Sequence, residues 1–128
     1  MALQYQNPPI PTATLESVTL VDGNVAEAVA AAGAYTIHSP LAPTAASVGV
    51  TSAQALAANT SRTGLILVNT SSYTISIAFG AHAAVLYSGI TLEPNGGTYE
   101  MDVDSFTSQA VSAIASGASS NLAIQEYN

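Results

Sequence analysis

Cysteine, lysine and tryptophan are missing from this chain, and one arginine, Arg62, is its whole complement of strong cations. Without cysteine there is no disulfide, no thiolate nucleophile and no zinc–thiolate centre. One cation against eight acids gives a net charge of −7. Nucleic-acid binding needs Lys and Arg to neutralise phosphate, so no nucleic-acid partner is expected. An anionic membrane surface is disfavoured for the same reason.

The groups that chemistry requires are equally sparse. His38 and His82 are the only imidazoles, and no acid stands beside either at a metal-ligand or catalytic spacing. There is no Gly-x-Ser-x-Gly nucleophile elbow, and Asn95-Gly96-Gly97 lacks the lysine of a phosphate loop. The expectation is a protein that is not an enzyme and uses no cofactor and no metal. No run of about 18 apolar residues is present, so no membrane-spanning helix is predicted. Met1–Asn7 lacks the basic and apolar regions of a secretory signal. Asn59-Thr60-Ser61 and Asn69-Thr70-Ser71 are therefore read as turns, not glycan acceptors.

What is present is small and polar. Ala, Ser and Thr supply 52 of the 128 residues, so large apolar side chains are few. That predicts a thin core, or one completed by a partner chain. Only 7% of residues are charged, well below the usual quarter. A free monomer normally carries more charge to stay in solution. The composition suits a protein packed into an assembly.

Residues 1–14 contain Pro8, Pro9 and Pro11, which exclude a helix interior and a central strand. They read as an extended N-terminal arm. Leu3, Tyr5, Pro8, Pro9 and Ile10 are its candidate contacts with a neighbouring subunit. Leu15–Val21 is a candidate strand, closed by the turn Asp22-Gly23-Asn24. Val25–Ala32 fits two helical turns, and the rival reading is a strand from Ala28 to Ile37; Ala34–His38 is read as strand. Pro40 and Pro43 then mark residues 39–47 as a linker. The predicted organisation is an arm and lead-in segment over 1–47 and a folded domain over 48–128.

From Val48 the texture is all β. Tyr73, Ile75, Ile77 and Phe79 alternate with Thr74, Ser76, Ala78 and Gly80, the two-residue period of a strand with one buried face. The predicted strands are Val48–Leu56, Gly64–Asn69, Tyr73–Phe79, Ala84–Tyr87, Gly89–Leu92, Thr98–Val103, Ala110–Ala115 and Asn121–Tyr127. Asn69–Ser72, Glu93–Gly97 and Ser116–Ser120 are read as hairpin turns. Short strands at this spacing predict an all-β fold, an antiparallel β-sandwich of jelly-roll-like form.

Three groups of residues are candidate sites. Glu100, Asp102 and Asp104 alternate and, on a strand, share one face. No calcium-loop spacing accompanies them, so they read as a solvated face or an acidic patch for a basic partner. Arg62 precedes the Gly64–Asn69 strand, where its planar guanidinium can tie a loop to a carboxylate or to several carbonyls. Six tyrosines could line a sugar-binding face, but Tyr73 and Tyr99 also fall on alternating core positions.

These residues also carry a likeness. Leu56–Ser71, with its Ala-Ala-Asn-x-x-Arg opening and its strand ending in Asn-x-Ser, resembles a module common in structural proteins of tailed bacteriophages. So does Gly89–Glu100, a Gly-Ile-x-Leu strand with a Pro-Gly turn, and Ala110–Ala115 with Leu122–Glu126 look like the closing strands. The likeness covers about residues 48–127 and carries over no catalytic residue. It implies a small β-sandwich used in capsid decoration, head fibres or tail-associated parts. Standing almost alone behind an arm, this chain looks most like a capsid decoration (cement) protein. The resemblance thus implies a virion protein on the capsid exterior, bound to the major capsid protein and itself a homo-oligomer, most simply a trimer. A tail, fibre or head-fibre adaptor and a carbohydrate-binding module are the rival readings.

Overall fold

A computed structural model describes residues 37–128. Within them, His38–Asn128 forms one compact unit. Its eight strands are β1 (Thr44–Val48), β2 (Ala53–Leu56), β3 (Gly64–Asn69), β4 (Ile75–Phe79), β5 (Ile90–Leu92), β6 (Gly97–Glu100), β7 (Val111–Ala115) and β8 (Ser120–Tyr127). They make two four-stranded sheets, one ordered β1-β8-β3-β6 and the other β2-β7-β4-β5. Every pairing is antiparallel.

The strand order has a simple origin. β1 pairs with β8, β2 with β7, β3 with β6 and β4 with β5, as in one long nested hairpin. That ribbon is rolled over so that β8 meets β3 and β7 meets β4. The result is an eight-stranded jelly roll, the all-β sandwich the sequence predicts.

The alternation decides which side chains fill the space between the sheets. Leu65 and Leu67 of β3 and Leu122 and Ile124 of β8 point inward from one sheet. Ile75 and Ile77 of β4, Leu92 of β5 and Val111, Ala113 and Ala115 of β7 answer from the other. Alanine at two of these positions keeps the core thin, as the composition implied. Phe79 and Tyr99 close one flank, their rings 5.7 Å apart and tilted by 52°.

Four features differ from the sequence expectation. First, the domain begins at His38 rather than at 48. Residues 44–47, read as linker, form β1 together with Val48, because Ala46 and Val48 alternate inward against Leu122 and Ser120. The single strand expected over Val48–Leu56 breaks at Gly49–Ser52, where the chain changes sheet. Second, the turns over 69–72, 93–97 and 116–120 are not hairpins. Each carries the chain from one sheet to the other. Turn residues mark a reversal but do not say whether the flanking strands pair. Third, Ala84–Tyr87 is not a strand. It belongs to the long β4–β5 connection, where Ser88 N–H donates to Val85 O at 3.0 Å and Tyr87 takes a φ of 64°. Ala84 N–H donates to Ser52 Oγ and Tyr87 N–H to Ser76 Oγ, each at 2.8 Å. The loop thereby covers the outer face of its sheet, which is why Ser76, on the polar side of the alternation, is fully buried. Fourth, β6 ends at Glu100.

Candidate functional site

The site residues fall at the two ends of the sandwich and along one sheet edge. Leu3, Tyr5, Pro8, Pro9 and Ile10 lie outside the described residues.

At one end stands Arg62, 2% exposed. Its Nε donates to Glu126 Oε2 at 2.6 Å. Nη1 donates to Thr107 O at 3.1 Å and Gln109 O at 2.8 Å, and Nη2 to Ala57 O at 3.1 Å. The guanidinium fork therefore joins the loop before β3, the loop before β7 and the end of β8. Four of its five N–H groups are used, which a point-like ammonium could not do. Its partner Glu126 went unnoticed in the sequence. The signal was there: Leu122, Ile124 and Glu126 share one face of β8, so a carboxylate had to enter the core side.

At the opposite end Asn69 plays the matching part, and its side chain is fully buried. Its Nδ2 donates to Tyr73 O, Leu92 O and Glu93 O at 2.7, 3.0 and 3.1 Å. Its Oδ1 accepts from Ser71 N–H at 2.9 Å and Ser71 Oγ at 2.7 Å. One amide thus locks the β3–β4 arch to the β5–β6 arch. Asn69 follows Leu65 and Leu67 in the inward series of β3, the one trace of this role in the sequence.

The acidic trio does not share a strand face. Glu100 ends β6, and Asp102 and Asp104 lie in the turn beyond it. Asp102 Oδ1 accepts from Asp104 N–H at 3.0 Å and from Ser105 N–H and Oγ, both at 2.9 Å. The Ser105 hydroxyl, helped by these amides, holds the exposed Asp102 carboxyl below the ordinary aspartate value. Among the described residues no group of three His, Cys, Asp or Glu side chains is placed to hold a metal ion.

Beside this turn lies a hollow of about 420 Å³ lined by His38, Thr63, Met101, Asp102, Val103 and Phe106. A second, about 250 Å³, shares His38, Thr63 and Met101 and runs on to Ile66, Glu100 and Tyr127. His38 Nδ1 is 2.7 Å from Thr63 Oγ1, and its ring stands edge-on to Tyr127. His82 is exposed on the β4–β5 loop, far along the chain from any acid. Of the tyrosines, Tyr73 and Tyr87 are exposed, whereas Tyr99 packs against the core.

Comparison with protein-family models, with curated proteins and with solved structures gives no match.

Proposed function

We propose that this chain is a virion structural protein that binds the outside of a tailed-phage capsid as a decoration protein. The observation that carries this reading is what the resembling motifs do in the fold. The Ala-Ala-Asn-x-x-Arg segment ends in Arg62, which ties two loops and the end of β8 together at one end. The Asn-x-Ser segment supplies Asn69 and Ser71, which tie two arches together at the other. Both motifs serve architecture. Neither places a nucleophile, base or ligand set in a cavity, so the reading is of a non-catalytic protein that works by fitting against neighbours.

The physical mechanism is additive burial. Each copy removes apolar surface from water at roughly 25 cal/mol per Å², from which association costs are subtracted. Repetition over a symmetric shell multiplies a modest contact. The arm residues Leu3, Tyr5, Pro8, Pro9 and Ile10 suit addition to a groove or a strand edge of the major capsid protein. A homo-oligomer, most simply a trimer, would present several arms together.

The test is co-sedimentation of the purified full chain with empty tailed-phage capsids stripped of their own decoration protein, followed by imaging of the particles. Saturable binding at a fixed ratio over the shell is expected. Density on the tail alone would transfer the protein to an adaptor role, and no association with any particle would overturn the reading.

A further inference from the structure

The described surface bears charge of one sign only, and all of it lies on one edge. Arg62 is enclosed against Glu126. The other side-chain carboxylates among the described residues are Glu93, Glu100, Asp102 and Asp104, all exposed. They fall on the β5–β6 arch, on β6 and on the turn that follows.

Among the described residues β6 is also a free edge. It pairs with β3 on one side and ends the sheet on the other. Met101 N–H donates to Leu65 O at 2.9 Å. In an antiparallel ladder the bonded positions alternate, so Tyr99 faces β3 and the peptide groups of Thr98 and Glu100 face the open side. An unpaired edge of this kind is a template for another strand. Beyond Glu100 the chain leads into the hollow described above, where Val103 is 91% exposed and Phe106 48%. Open peptide groups, carboxylates and an apolar hollow follow one another along a single line.

We propose that this edge docks an extended segment of a different protein, one that carries Lys or Arg beside an apolar anchor. The segment adds to β6 through Thr98 and Glu100, sets its cations against the carboxylates and seats the anchor beside Val103 and Phe106. Charge selects against this chain as its own occupant. Residues 1–36 hold three acids and no Lys or Arg, and a second copy's sandwich has no exposed Lys or Arg to offer. The inference names a surface apart from the arm, and it stands whether or not the partner belongs to a capsid.

The probe is a synthetic eight-residue peptide alternating Lys with Leu or Val, titrated into the full ¹⁵N-labelled chain; the control has Glu for Lys. Amide shifts at Thr98, Glu100, Val103 and Phe106 are expected with the Lys peptide only. Raising salt from about 50 to about 500 mM should weaken binding several-fold. Thr98→Pro removes an N–H that faces the open side and no bond to β3. It and Phe106→Ser should each weaken binding at least about tenfold, with the melting temperature reporting that the sandwich persists. Equal binding of the Glu peptide, or full binding by Thr98→Pro, overturns the proposal. So does concentration-dependent self-association that Thr98→Pro abolishes, since the edge would then serve a second copy. Particle binding that persists while the Lys peptide fails rejects this edge and leaves the capsid reading intact.

Discussion

Arg62 Nε and Glu126 Oε2 lie 2.6 Å apart, with the arginine side chain wholly enclosed and the glutamate side chain 11% exposed. The pair spans 64 residues of sequence and is the only ion pair among the described residues. A buried pair is costly to break because the surviving charge stays in a poor solvent. Arg62→Ala should therefore cost about 3–5 kcal/mol, with three carbonyls stranded as well. Arg62→Lys should recover little of it. Chemical denaturation of the three proteins checks this, and equal midpoints would show that the fork is dispensable.

Asn69 offers a sharper chemical test. Its amide donates toward three carbonyl oxygens. Asn69→Asp keeps the shape and replaces the donor with an oxygen that repels all three. A loss above about 2 kcal/mol is expected, since unsatisfied buried groups each cost about 1–3 kcal/mol. Asn69→Ala should be milder. An aspartate variant that melts with the native chain would remove Asn69 from the account.

Gly97 follows the β5–β6 arch so closely that an added Cβ would overlap the backbone of Glu93 and Leu92. Backbone cannot yield as a side-chain tip can. Gly97→Ala should lower the melting temperature clearly, whereas Gly49→Ala, with open space around it, should leave it nearly unchanged. The contrast between the two alanines is the measurement.

Asp102 links the acidic edge to pH. Its carboxyl is lowered first by the Ser105 hydroxyl and then by the amides of Ser105 and Asp104. A depressed acid stabilises the fold above its unfolded-state value, and that contribution is lost as pH falls through the folded value. The native chain should lose stability more steeply than Asp102→Asn as pH drops below about 3.8. Parallel pH–melting curves would count against the turn.

Truncation tests where the domain starts. A chain cut to residues 38–128 should unfold in one cooperative transition. A chain cut to 48–128, the boundary that Pro40 and Pro43 suggested, loses four of the five residues of β1. It strips β8 of its pairing partner along that edge, and should be much less stable or insoluble. Equal melting of the two fragments would restore the later boundary.

Much of this fold was legible because the two-residue period survives in β3, β4, β7 and β8. The predicted Gly64–Asn69 strand matches β3 to the residue. Topology was not legible, since Asn69–Ser72 and Glu93–Gly97 carry the same turn residues whether they close a hairpin or bridge two sheets. β1 was hidden by Pro40 and Pro43 and by its small side chains. Glu126 and Asn69 were readable only by following the inward parity to its end and asking what a polar group would meet there. The acidic edge was half visible: three of its carboxylates stand out in the sequence, but Phe106, Val103 and His38 come to line one hollow through folding alone.

The rolled ribbon has a consequence for how the molecule is made. β7 inserts between β2 and β4, and β8 between β1 and β3. A nascent polypeptide emerging only as far as residue 110 could join β3 to β6 and β4 to β5, leaving β1 and β2 without neighbours. Pairings that reach so far along the sequence are slow to assemble. Maturation must therefore come late and nearly all at once, and an interrupted translation product would be sticky rather than half-useful.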